Sequence, residues 1–444
     1  MIRNMRKLIG LAVIALPTIA GAFAPTNFFL HHDSALRFPV LHHNRNFALG
    51  VYKLEYGRED EGRSWDGKER NILQLHDTTE SLVSAFRNPV TANVKGIFDM
   101  LSILGPDPDN GVRGQLCLNG KFSEIDATFF AGWTLPINMP GALSLVLYVP
   151  VVNKKVSDIV IKDLTPVTGD KAFSGVLDAK VKVLANKLQG CSKTWGCLDL
   201  CGSSCGCSWQ ETGIGDIPLL LEWRYDAAIS CREDEEERAR THKDYRASFF
   251  ARVGVIFPAA EEKDEDKAFS MALGNDGAWG LPISGGFSFN PGWHFKLGMD
   301  VDIVILFDHT KVRRLKTHPD QTEFLLFNKG LARKEHGVTW QLNAYAQAYH
   351  FIEGFSLQAA YQYVKHERSH LVPLCKGFDC KVVDCARSLL ESDVHNVILR
   401  ANYDWCHDSE RGVVPQIGFF YKFGMGGKNM IDNDTVGGQL SINF

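Results

Sequence analysis

Cysteine is the residue type whose placement first suggests chemistry. The chain carries 11 of them. Cys191, Cys197, Cys201, Cys205 and Cys207 crowd one segment, followed by Cys231; Cys375, Cys380 and Cys385 form a second group, followed by Cys406, and Cys117 stands apart. Zinc knuckles use C-x2-C pairs, whereas these spacings run C-x5-C-x3-C-x3-C-x-C and C-x4-C-x4-C. Disulfides that staple long loops in an oxidising space fit them better, with a zinc or redox site as the alternative. A bridge closing a loop of about 15 residues contributes roughly 3 kcal/mol. An odd total leaves at least one thiol free or intermolecular, and the pairing does not follow from spacing.

Other polar features point to no reaction. The pairs His31-His32 and His42-His43 could take a metal ion, but near the N-terminus they read as solvated. The charge runs at 232–240 (REDEEERAR) and 261–267 (EEKDEDK) read as solvated turns, with cation gathering as the alternative. No phosphate-binding glycine loop occurs, and no Ser/His/Asp or acidic cluster makes a defensible catalytic pattern, so no enzyme and no cofactor is expected. Lys and Arg number 48 against 52 Asp and Glu, for a net charge of −4. Such a chain has no basic excess with which to neutralise nucleic-acid phosphates.

The elements come next. Arg3, Arg6 and Lys7 precede an apolar stretch from Leu8 to Ala24 that closes on small residues, the pattern of a signal peptide cleaved after Ala22. Residues 23–45 would then form a periplasmic N-terminal segment. Beyond it nothing approaches the roughly 18 apolar residues of a membrane helix. A membrane-embedded mature chain must therefore be a closed barrel, the remaining way to satisfy every backbone group in lipid.

Alternation supports that. Val338, Trp340, Leu342, Ala344, Ala346 and Ala348 oppose Thr339, Gln341, Asn343, Tyr345, Gln347 and Tyr349. Successive strand residues point to opposite sides, so one face is oily and the other polar. Similar segments set Leu219, Leu221, Trp223 and Tyr225 against Glu222, Arg224 and Asp226, and Val397, Leu399, Ala401 and Tyr403 against Asn396, Arg400, Asn402 and Asp404. A soluble sandwich also alternates. However, these runs span about ten to fifteen residues, beyond the usual five or six of soluble strands. Aromatics also crowd their ends, where a bilayer interface would place a girdle.

The fold expected is all-β: an antiparallel transmembrane barrel over 46–444 with about 14 strands, or 12. The fourteen include 111–121, 123–135 and 174–188, and a short helical insertion is expected near 78–104. Connections alternate between short and long in the C-terminal half. In the N-terminal half the phase is wrong: Pro136–Ala142 is short where a long outer loop is expected, and Lys155–Phe173 and Ser230–Lys243 are long.

The last strand carries the sharpest motif. Val436, Gly438, Leu440, Ile442 and Phe444 alternate with polar residues, and Phe444 is terminal. This resembles the assembly signal of bacterial outer-membrane β-barrel proteins, with Leu440, Ile442 and Phe444 at the matching positions. It departs at Gln439, since the family's usual glycine lies one residue early, at Gly438. The resemblance implies a bacterial outer-membrane location, with membrane lipids and the barrel-insertion machinery as partners.

Charges belong in a lumen rather than on a lipid face. Glu222, Arg224, Asp226, Arg246, Arg252, Lys296, Asp300, Asp302, Arg400, Asp404 and Lys422 are therefore the expected lumen-lining residues. They suit a porin-like channel for small solutes, and a homo-oligomer is compatible. The rival expectation is a surface structural or interaction protein, in which the barrel merely anchors disulfide-rich outer loops.

Overall fold

The computed structural model describes Leu36, residues 47–81, 115–163 and 207–228, and 246–444 except 266–269, 292–293, 324–325, 327, 353, 406–412 and 433. Among the described residues, the barrel strands are β1 Phe47–Glu59, β2 Gln115–Thr134, β3 Ala142–Asp163, β4 Ile217–Ala228, β5 Arg246–Phe257 and β6 Gly280–Asn290. They continue as β7 Phe295–Leu306, β8 Thr339–Ile352, β9 Phe355–His366, β10 Ser392–Asp404, β11 Val414–Lys428 and β12 Thr435–Asn443. Each pairs antiparallel with the next, and β12 returns to β1, with Ala48 opposite Asn443. The result is an up-and-down ring of twelve strands without an open edge. At the closing seam a Cβ on Gly50 would lie 2.1 Å from the Leu440 carbonyl oxygen. Only glycine lets these two strands approach so closely.

Period-two sequence becomes two solvents. Trp340, Leu342, Leu399 and Phe419 are 41%, 37%, 49% and 48% exposed. Their neighbours Gln341, Asn343, Arg400 and Gly418 are buried. A sandwich would hide the first set between its sheets, so that alternative is excluded. In β1 a bulge between Val51 and Lys53 buries Tyr52 and Lys53 in succession and switches the outward parity from Leu49 to Leu54 and Tyr56. Aromatic pairs ring both rims: Phe47 with Phe444 and Tyr403 with Trp405 at one, Phe257 with Trp279 at the other. An outward apolar band between aromatic girdles is what a bilayer of about 25 Å apolar height selects. Among the described residues no helix is long and apolar enough to cross a membrane; strands do the crossing.

Twelve is the smaller of the two counts expected, and the difference has a physical reason. The described residues of the segments 111–121 and 123–135 belong to one strand, β2 Gln115–Thr134, whose far half runs past the bilayer. There Phe122 packs with Ile72, Leu75, Val156, Ile159, Trp209 and Ile431 in a small apolar core of its own. The segment 174–188 lies outside the described residues, and the ring closes without it. This corrects the phase. Connections 135–141, 291–294, 353–354 and 405–413 now share one end, while 60–114, 164–216, 258–279, 307–338 and 367–391 share the other. Only 229–245 remains long at the short-turn end, and it lies outside the described residues, as does the charge run 232–240. Of the expected helix near 78–104, residues 82–104 lie outside them too. Glu80–Ser81 is a short strand on the edge of β2.

Beyond the long-loop rim stand two three-stranded sheets and the strand Cys207–Ile214, which extends β3. The sheet His309–Arg314, Lys329–Glu335 and His370–Pro373 covers the buried residues Leu315, Ala332 and Val383. Here the disulfide expectation fails for the second cysteine group. Cys117, Cys375, Cys380 and Cys385 are free thiols. Cys380 opens the helix Cys380–Asp384 and Cys385 caps it, so about 7.5 Å of helical rise separates them, more than a bridge spans. The Cys375 sulfur sits instead over Gly330, where it would meet an added Cβ at 2.5 Å. Cys191, Cys197, Cys201, Cys205, Cys231 and Cys406 lie outside the described residues.

Candidate functional site: the barrel interior

Polar side chains on the buried parity link strand to strand. Asp302 on β7 accepts from Gln341 at 3.3 Å. Gln362 on β9 donates to Asn343 at 3.2 Å, and Asn396 on β10 donates to Gln362 at 2.9 Å. Four neighbouring strands thus share one amide and carboxylate ladder. Such groups cannot be left unmet away from water, and each strand supplies the next with its partner.

Two ion-pair groups stand elsewhere on the wall. Glu222 on β4 accepts from Arg252 on β5 at 2.7 Å and from Arg224 at 2.9 Å. Arg252 also lies over the Phe250 ring, 5.1 Å from its centroid. In the other group Lys53 on β1 reaches Glu55 at 2.5 Å and Asp126 on β2 at 2.9 Å. Thr128 supports Asp126 with a 2.8 Å hydrogen bond. Glu124 faces Lys154 across the β2–β3 ladder, yet the Lys154 ammonium donates to the Ala272 carbonyl at 2.7 Å.

That last bond ties down a loop. The described residues of 258–279 fold toward the wall rather than away from it. Leu273 is fully buried and abuts Gly213, and the Asp216 carboxylate accepts from the Ala260 and Asn275 amides at 3.2 and 2.5 Å. Lower in the barrel, Tyr52, Val146, Tyr148, Leu220, Ala360, Ile398 and Phe420 from six strands close on Leu36. The Leu36 carbonyl accepts from Gln439 at 2.6 Å. The interior is therefore narrow, crossed by an apolar cluster and partly roofed by a loop.

All eleven charged residues singled out in the sequence fall on the inward parity of their strands. Glu222, Arg252, Asp300, Asp302, Arg400 and Asp404 are buried, while Arg224, Asp226, Lys296 and Lys422 are intermediate and Arg246 is exposed near the short-turn rim. Of the residues singled out in the sequence, the structure brings Glu222, Arg224 and Arg252 together; sequence reasoning missed Lys53, Glu55 and Lys154. The β1 bulge hides Lys53, because strict alternation places it on the outer face. Leu440 and Phe444 of the terminal motif are exposed on the outer face of β12. Among the described residues no group of three or more His, Cys, Asp or Glu could hold a metal ion.

The strand ladder and the inverted solvent pattern define a transmembrane β-barrel of the outer-membrane type. No protein-family model matches the chain, and no curated protein does. Solved structures with a similar outline are bacterial channels. An outer membrane channel from Pseudomonas putida F1 is 10% identical over 92% of this chain and 97% of that one, with a TM-score of 0.48. A monoaromatic hydrocarbon channel is 10% identical over 90% and 88%, TM-score 0.29. The toluene transporter of Pseudomonas putida is 8% identical over 96% of each chain, TM-score 0.28. The barrel assignment rests on this chain's own strand pairing and exposure, not on these likenesses.

Proposed function

We propose that this chain is a bacterial outer-membrane channel that passes small hydrophilic solutes through a narrow lumen of mixed charge, and that residues 1–22 are removed on export. The observation that carries this reading is the placement of charge. Glu222, Arg252, Asp300, Asp302, Arg400 and Asp404 are buried inside the ring while the neighbouring positions are apolar and exposed or half-buried. Charge on a lipid face is costly, and a hydrated interior is where it is tolerated. Twelve strands give a bore between filled eight-strand barrels and open porins of 16–18. Leu36 and the 258–279 loop narrow it further, so single-channel conductance is expected to be small. Leu440, Ile442 and Phe444 serve as the signal read during barrel insertion.

Purified protein in planar bilayers tests this. Discrete conducting steps are expected, and Asp300→Asn with Asp302→Asn should move ion selectivity toward anions. An electrically silent barrel would favour the anchoring role instead, for which the outer sheets with apolar cores of their own are the supporting observation. Conduction with unchanged selectivity would remove β7 from the solute path.

A further inference from the structure

Over the long-loop end, the 258–279 loop meets the hairpin His309–Arg314 and Lys329–Glu335. In that hairpin His309 lies across from Lys334, Lys311 from Ala332 and Arg313 from Gly330. Cross-strand partners and alternate residues share a face, so His309, Lys311, Arg313 and Lys334 stand on one side of the sheet. Asp276 answers two of these cations. Its Oδ1 accepts from Lys311 and from the Lys263 amide, and its Oδ2 accepts from Arg313 Nη1. Both oxygens are then committed. Asp276 and Gly277 take left-handed backbone, φ 56° and 86°, to make the turn that presents this carboxylate.

Donors remain. Arg313 is buried, and its Nε and Nη2 find no acceptor. Those two N–H groups form one edge of the guanidinium, the fork that matches two oxygens of a carboxylate or phosphate. The Lys334 ammonium, on the same face, makes no ion pair or hydrogen bond among the described residues. The remaining acid is Glu262, half exposed and 3.4 Å from Lys311.

We propose that Arg313 and Lys334 form a binding site for a small free oxyanion, the carboxylate or phosphate group of a solute, at the long-loop mouth of the barrel. Arg313 supplies the bidentate fork, Lys334 the uncompensated charge, and Lys311 the neighbour that holds Glu262 until the anion displaces it. The electrostatics agree. Burial and then Arg313, Lys263 and Lys311 push Lys334 down to about 8, against the pull of Asp276. Burial, Lys334 and Arg313 push His336 down to about 2. A bound anion relieves that crowding. The site stands on these donors and does not depend on whether the lumen conducts.

Calorimetric titration of inorganic phosphate into the full chain in neutral detergent at low salt tests it. Saturable binding is expected. Arg313→Lys keeps the charge but removes the fork and should weaken affinity about tenfold, and Lys334→Gln should weaken it several-fold. Glu262→Gln removes the internal competitor and should tighten binding. Glu262 is exposed and Lys334→Gln removes a charge without adding bulk, so these two variants decide the matter even if Arg313→Lys fails to fold. No saturable heat with the wild-type chain, or unchanged affinity in both of these variants, overturns the proposal. Binding to mixed micelles of anionic phospholipid without binding to free phosphate would overturn the assignment to a free solute.

Discussion

Lys53 shows what an internal charge does in this barrel. It is held between Glu55 and Asp126, and a cation between two carboxylates on adjacent strands stitches β1 to β2 close to the closing seam. Desolvation makes such a group weak evidence for net stability, but removing one partner strands the others. Replacing Lys53 by Met keeps the length and leaves two buried carboxylates without their counter-ion. A loss of roughly 3–5 kcal/mol is expected, read as a lower urea midpoint for refolding into lipid vesicles. A midpoint unmoved by the change would show that water, not Lys53, compensates the acids. The parity of the charged residues was legible in the sequence; the partners were not. Arg252 could be placed inside, but its choice of Glu222 rather than Asp302 depends on which residues fall opposite each other in the ladder.

At the scale of elements, legibility followed the solvent. The strands β7 to β12 alternate through most of their length, broken only near the register shifts at Ala348–Ile352 and His395–Asn396, and their bounds were close to those expected. β2 was misread as two strands because its alternation changes meaning midway. Below Glu124 its outward residues meet hydrocarbon. Above it, Leu118 and Phe122 meet other protein, and Gly120 yields to the Asn71 side chain, whose oxygen accepts the Gly120 amide at 2.9 Å. Periodicity reports a change of surroundings, and two kinds of surroundings along one strand look like two strands. The lipid-facing reading carries its own test. Leu399, midway along the outer face of β10, should tolerate Ala far better than Arg. Arg at the bilayer centre costs about 2–4 kcal/mol, measured as unfolding from vesicles, whereas a value near zero would put Leu399 in water.

For the whole molecule, the even count leaves Phe47 and Asn443 at the short-turn rim, and joining 115–134 into one strand exchanges the ends of only the two connections that flank β3. With all but one of its long connections on one side, the outer sheets, the 258–279 loop and the oxyanion-binding face belong to a single end. The thiols of Cys380 and Cys385 stand exposed at that same end. They offer a chemical compass. A maleimide too polar to cross a bilayer, added to intact cells making this protein, should tag the Cys380–Cys385 turn at once. If tagging waits until the cells are broken, the molecule sits upside down in its membrane, and whatever the mouth recognises must be sought inside the envelope.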